Sequence, residues 1–127
     1  PNIVNEYIFV FQKPMKGLID SIVRSYKGEI KDKSLILGDY DRSNIWYLNP
    51  ETKSKHLAPY PLELSDKLVK YYSYIGDIVI DPLLGSGTTC ISAIHQSRKY
   101  LGFEIHEDYY NLALTKIYDT LNLIKVM

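Results

Sequence analysis

Ile78-Val79-Ile80-Asp81-Pro82-Leu83-Leu84-Gly85-Ser86-Gly87-Thr88-Thr89 is the stretch that decides the fold. Its three branched residues are apolar toward both faces, as in a buried parallel strand. Gly85-Ser86-Gly87 reads as a tight turn, and Thr88 to about Ser97 as the helix that follows. Upstream, Pro61 suits the first turn of a helix whose apolar stripe is Leu64, Leu68 and Tyr72, ended by Gly76-Asp77. Downstream, Tyr100 to Ile105 reads as a second strand. Tyr110, Ala113, Leu114, Ile117, Leu121 and Ile124 then recur at helical spacing. From residue 62 the order is helix, strand, helix, strand, helix, the pattern of a doubly wound α/β fold with right-handed crossovers.

Nearer the N-terminus the pattern is less regular. Glu6 to Phe11 is a β-branched and aromatic run ended by Lys13-Pro14, so a strand is expected there. Met15, Leu18, Ile19, Ile22 and Val23 have helical spacing before Gly28. Mixed charges and a Gly38-Asp39 turn follow. Ile45 to Leu48 has the makings of another short strand, closed by Asn49-Pro50, and residues 53–61 form a loop with two prolines.

Bulk composition narrows the classes. A chain of 127 residues, 46% hydrophobic and 24% charged, is sized and composed for one globular domain or part of one. Fifteen basic and fifteen acidic side chains cancel, so no global field announces a nucleic-acid or membrane partner. Between Lys13 and Lys33, six basic residues (Lys13, Lys16, Arg24, Lys27, Lys31, Lys33) outnumber Asp20, Glu29 and Asp32, a surplus that either touches phosphates or is a solvated face. Cys90 is the only cysteine, which excludes an intrachain disulfide and fits a reducing, cytoplasmic setting. His56, His95 and His106 are scattered, so no metal site is expected. No apolar run approaches the roughly 20 residues of a membrane span.

The glycine turn lies where a buried strand hands over to a helix. Glycine lets backbone approach a ligand closely, and the helix N-terminus offers free N–H groups. Twenty-three residues after Asp81, Glu104 closes the next strand, where a carboxylate can accept both hydroxyls of a ribose. A phosphate loop would need Lys after Gly87, and Thr88 stands there. A dinucleotide fingerprint wants a glycine where Cys90 stands. S-adenosylmethionine has no pyrophosphate and needs only the close approach and the ribose acid. A glycine turn alone is often no more than a tight connection; Asp81 and Glu104 at this spacing make it a candidate nucleoside site.

Asp81–Thr89 resembles the DPFxGSGTT motif of the N4-cytosine/N6-adenine DNA methyltransferases, with Leu83 in place of Phe. His56-Leu57-Ala58-Pro59-Tyr60-Pro61-Leu62-Glu63-Leu64 is similar to that family's HxAPFPxEL segment, and Asn44-Ile45-Trp46 to its (D/S)IW stretch. Gly102-Phe103-Glu104-Ile105, with Glu107, Tyr109 or Tyr110 and Ala113, resembles the acidic second-strand motif. Asn5 to Lys13 resembles the strand written EYIxVFxK. The resemblance runs from about residue 1 to 118, outside the segment near 15–43, and its motif order is that of the circularly permuted β-type class.

The resemblance implies a partial Rossmann-like, S-adenosylmethionine-dependent methyltransferase fold, a parallel sheet flanked by helices. It implies residues 1–14 as a late strand of that sheet, 15–45 as a short target-recognition segment and 46–127 as the cofactor-binding region. It further implies contacts to S-adenosylmethionine from Ala58, Pro59, Asp81, Leu83, Gly85, Ser86, Gly87, Thr88 and Glu104. Ala58 and Pro59 would wall the methionine end. Asp81 would meet the cofactor's ammonium group or cap the turn's own N–H groups. Thr88 and Thr89 serve equally as helix caps. The family's catalytic (D/N/S)PP(Y/F/W) motif precedes these segments, and residues 1–127 hold no Pro-Pro pair. No catalytic residue is therefore assigned. Leu37-Gly38-Asp39 echoes the acidic turn near that motif but leads into Tyr40-Asp41-Arg42 instead. The expectation is the cofactor-binding part of a restriction-modification type DNA methyltransferase, acting on cytosine N4 or adenine N6. It would need a catalytic half from another chain, or else self-associate. The alternatives are a non-catalytic binding module of the same fold and an RNA-base methyltransferase fragment.

Overall fold

A computed structural model describes residues 7–11, 13, 28–36, 43–49 and 61–126. In chain order the elements are α1 (Glu29–Ser34), α2 (Leu62–Tyr72), β1 (Ile78–Asp81), α3 (Thr88–His95), β2 (Lys99–Gly102) and α4 (Glu107–Val126). β1 and β2 pair in parallel, with Ile78 opposite Lys99 and Asp81 opposite Gly102. Parallel neighbours need a crossover, and α3 supplies it. The architecture is a partial Rossmann-like α/β fold, with the helix–strand–helix–strand–helix order expected from residue 62 onward.

α3 is the central element and touches α2, α4 and both strands. Its inward residues are small: Cys90, Ser92 and Ala93 are buried, which lets neighbours approach closely. On one flank Cys90 joins Leu84 of the glycine turn and Ala113 and Ile117 of α4, with Ile94 and Leu121 packed around them. On the other flank the contact is polar. The buried Ser92 hydroxyl donates to the Asp66 carboxylate at 2.6 Å, and Gln96 Nε2 donates to the Asp66 carbonyl at 3.2 Å and to Ser92 Oγ at 3.0 Å. Each buried polar group there has a partner, which is the condition for such a contact to hold.

The link from α2 to β1 is tied to the link from α3 to β2. Arg98, 9% exposed, donates through Nε and Nη2 to the hydroxyl and carbonyl of Ser73 and through Nη1 to the Gln96 carbonyl. Gly76 N–H donates to the Ser97 carbonyl and Lys99 N–H to that of Asp77. Burial lowers the Arg98 pKa, and the charge of Asp77 opposes that shift.

Several expectations need correction. β1 is not buried on both faces: Ile78 is 63% and Ile80 59% exposed, and Leu101 in the facing register is 47% exposed. Partners in parallel register share a face, so this side of the sheet is bare and apolar. β2 ends at Gly102 rather than Ile105 because β1 has already ended opposite it. α3 ends at His95 because Ser97 takes a positive φ. Of the α4 stripe only Ala113 and Ile117 are buried, while Tyr110 and Ile124 remain 46% and 47% exposed.

Residues 7–11 alternate like a strand, with Tyr7, Phe9 and Phe11 in ring contact. They are not paired in the two-stranded sheet found among the described residues. Ile8 lines a cavity of about 460 Å³ with Leu64, Leu68, Ile78 and Val79. Ile45–Leu48 is likewise not a strand. Trp46 packs edge-on against Tyr71 at 5.7 Å, with Lys67 Nζ 5.2 Å from its ring centroid. α1 escapes a reading by periodicity, because it has no apolar stripe and no buried residue. Its signal is charge: Glu29 pairs with Lys33 one turn on. The expected helix at 15–23 and the Gly38-Asp39 turn lie outside the described residues.

Arg98→Lys keeps the charge but not the fork of donors. Denaturant unfolding is expected to show a loss of about 2 kcal/mol, against less than about 0.5 kcal/mol for Lys70→Ala on the exposed face of α2.

Candidate functional site

The two strands end abreast, and the chain segments leaving them are stitched together. Phe103 N–H donates to the Asp81 carbonyl at 2.9 Å, and Leu84 N–H donates to the Phe103 carbonyl at 2.8 Å. Asp81 Oδ1 accepts the N–H of Leu83 at 3.0 Å, which folds the chain back at the end of β1. Of the two roles open for Asp81, the geometry displays the turn-capping one.

Leu84, Gly85, Ser86 and Gly87 are all buried. Gly85 and Gly87 have φ of 55° and 88°, a region costly for residues with a Cβ. Gly87 has a second constraint: a Cβ there would stand 3.1 Å from the Cβ and 3.3 Å from the Cα of Ala113 on α4. Gly102 faces the same turn from β2, where a Cβ would lie 2.6 Å from a Leu84 methyl. Gly87 is the N-cap of α3, and no side-chain cap is made there. Thr88 therefore opens the helix without the capping role open to it in sequence.

Glu104 reaches across to this turn. Its Oε2 accepts the Gly85 N–H at 2.8 Å, and its Oε1 accepts the His106 N–H at 2.8 Å. The His106 N–H is the main cause holding its carboxyl below the usual range. Desolvation opposes this; the N–H groups of Gly85 and Ile105 and the His106 charge add to it. His106 also gives its carbonyl to Tyr110 N–H at the start of α4 and meets the Tyr109 ring edge-on. The Cys90 thiol beneath the turn is pushed up to about 11, first by burial and then by the Asp81 charge. It stays protonated near neutral pH and is no nucleophile.

A cleft of about 450 Å³ opens beside the carboxylate, lined by Pro82, Leu83, Gly102, Phe103, Glu104, Ile105 and Tyr110. That is the size of a small-molecule site. Leu83 and Ile105 are 85% and 92% exposed, so apolar side chains rim a single anionic group. Of the residues the resemblance implied, Leu83 and Glu104 line this cleft. Gly85 is tied to Glu104 and Asp81 to Leu83 by hydrogen bonds, and Ser86, Gly87 and Thr88 follow in the same turn without lining it. Ala58, Pro59 and His56 lie outside the described residues. Sequence reasoning assigned no site role to Pro82, Phe103, Ile105 or Tyr110. The signal was their position, next to Asp81, on both sides of Glu104 and one turn into α4. Among the described residues no group of three or more metal-ligating side chains assembles.

A family model described as DNA methylase, of the N6/N4 methyltransferase type, matches residues 1–115. The chain belongs to the N6/N4 DNA methylase family. Among curated relatives, the type II methyltransferase M.MthZI of Methanothermobacter thermautotrophicus is 32% identical over 94% of the chain and 36% of its own length. M.HindIII of Haemophilus influenzae is 33% identical over 88% of the chain and 40% of its own length. A solved protein of Thermus thermophilus, described as a putative DNA modification methylase and complexed with S-adenosyl-L-methionine, superposes with a TM-score of 0.63. It is 33% identical, covering 88% of this chain and 40% of its own. The chain thus spans well under half the length of these relatives.

Gly87→Ala meets both a forbidden φ and Ala113, and should lower unfolding stability by about 2–4 kcal/mol. Gly76→Ala has the same φ problem, 86°, but open space around it. It should cost about 1–2 kcal/mol, so the difference measures the Ala113 contact. The Glu104 carboxyl is held down in the folded state. Its contribution is complete above the unfolded value, about 4.3, and is lost as pH falls through the lower folded value. The stability gap between wild type and Glu104→Gln should be level from neutral pH down to about 4.3 and close below it.

Proposed function

We infer that these residues form the S-adenosylmethionine-binding part of a cytoplasmic DNA methyltransferase acting on the exocyclic amino group of cytosine (N4) or adenine (N6). The observation that carries the reading is the 2.8 Å contact between Glu104 and Gly85. It ties the carboxylate proposed to accept the ribose to the glycine turn at the ends of parallel strands, the region where open α/β sheets bind ligands. The family match and the S-adenosyl-L-methionine complex of the Thermus protein support it.

The residues present fit such a ligand. Glu104, ionised, accepts ribose hydroxyls. Leu83, Phe103, Ile105 and Tyr110 offer apolar walls of the kind a purine stacks on. Gly85, Ser86 and Gly87 bring main chain close to the ribose and methionine parts, with Thr88 beside them at the start of α3. Asp81 acts by shaping that turn through Leu83 N–H. Ala58 and Pro59 wall the methionine end in the motif reading. Bound S-adenosylmethionine supplies an electrophilic sulfonium methyl. This chain's contribution is to seat the donor and fix its direction, which is where positioning effects arise.

The groups that would align the target base are not among residues 1–127, which hold no Pro-Pro motif. A complementary catalytic chain, or a second copy, is the proposed partner, with DNA as substrate. Residues 1–14 then serve as a late strand, 15–45 as a recognition segment and 46–127 as the cofactor region. The bare face of Ile78, Ile80 and Leu101 is a surface that proteins normally cover. The same lack of a catalytic motif favours, as second reading, a binding module that holds the cofactor without transferring its methyl group.

Titration calorimetry should show S-adenosylmethionine binding to wild type and at least an about tenfold loss in Glu104→Ala and in Gly85→Val. Wild-type affinity in both variants would remove the pocket. Sedimentation velocity of the chain alone should give a species heavier than 14.7 kDa, the mass of one chain, if a second copy is the partner; a stable monomer of that mass refutes the second copy. Methylation of DNA that appears only on adding a chain bearing the catalytic motif separates the enzyme from the binding module.

A further inference from the structure

We propose that Glu104 is also a positioning residue for the glycine turn, holding the buried Gly85 backbone against the end of β2 before any ligand arrives. The inference rests on the cofactor reading above and extends it from what Glu104 would bind to what it already holds. Within the turn, the N–H groups of Leu83, Leu84 and Gly87 are taken by Asp81 Oδ1, the Phe103 carbonyl and the Leu84 carbonyl. Gly85 N–H is different, because its acceptor is a side chain 19 residues away on the neighbouring strand end. Gly85 is buried and at positive φ, so its amide has no water to fall back on when that acceptor is removed.

The second oxygen is pinned as well, by His106 N–H at 2.8 Å just before α4. The carboxylate therefore bridges the turn after β1 and the start of α4, and its plane is set by backbone on both sides. The two carboxylate oxygens offer about four acceptor positions; the Gly85 and His106 N–H groups take one on each oxygen, and the Ile105 N–H also addresses the carboxylate. The acceptor capacity left over is what a ribose hydroxyl would meet. The N–H contacts set the orientation of the carboxylate that the ribose would meet. Asparagine or aspartate at this position would be too short by one methylene to make both bridges from the same backbone.

The test uses the 127-residue chain, with Glu104→Gln as a near-isosteric variant beside Glu104→Ala. Amide hydrogen exchange without ligand should rise about tenfold or more at Gly85 in Glu104→Ala, and less in Glu104→Gln, whose single carbonyl oxygen can accept one of the two N–H groups. Ala93 and Ile117 in the core should keep wild-type rates. Calorimetry with the 2′,3′-dideoxy form of S-adenosylmethionine, which has no ribose hydroxyls, should still show weaker binding to Glu104→Ala than to wild type, by about tenfold. A residue acting only on ribose would leave that ligand unaffected. Unchanged exchange at Gly85, or a rise spread equally to Ala93 and Ile117, overturns the proposal. Failure of wild type to bind S-adenosylmethionine overturns the cofactor reading instead, and the exchange arm still decides the positioning role.

Discussion

Parallel pairing of β1 with β2 in one register is the constraint from which the rest follows. With Asp81 opposite Gly102, the residues just beyond each strand end come within reach of each other's backbone. Leu84 then finds the Phe103 carbonyl and Gly85 finds Glu104. A slip of one residue would turn Glu104 to the other face of the sheet, leaving the Gly85 amide buried without its acceptor. Packing on α3 enforces the register. Small residues on that helix let the strands, α2 and α4 close around it, and Arg98 locks the two links that feed the strands.

What could be read from the sequence was what local pattern dictates. The apolar run at 78–80, the glycine turn, the α4 periodicity and the spacing from Asp81 to Glu104 each follow from nearby residues, and the elements they predict are present. The site core was legible for the same reason, since turn and carboxylate sit at strand ends fixed by those patterns. Less legible were features set by neighbours. Exposure of Ile78 and Ile80 depends on what covers the sheet, which the run itself does not encode. Residues 7–11 have strand composition and alternation, yet a strand exists only by pairing. Trp46 is held by Tyr71 and Lys67 rather than by a ladder. The rim residues Phe103, Ile105 and Tyr110 became visible only when β2 and α4 were set beside the turn.

Electrostatics around the turn come almost wholly from main chain. Main-chain N–H groups of Gly85, Ile105 and His106 address one carboxylate, and a second carboxylate closes the first bend. Dipoles of this kind are fixed by the fold and need no reorganisation when a ligand enters. Cys90, directly below, is kept as an inert apolar filler by the same burial that shapes the turn.

The approach of Gly87 to Ala113 has a consequence for how such a chain can vary. A 3.1 Å gap between a Cβ on Gly87 and the Ala113 Cβ leaves neither position room to grow alone, so the two form a lock with a single size setting. α4, 20 residues long, is thereby held at Ala113 against the glycine turn. A larger side chain at either position must shift that rod or the turn, and the Ile117 and Leu121 contacts farther along α4 resist the shift.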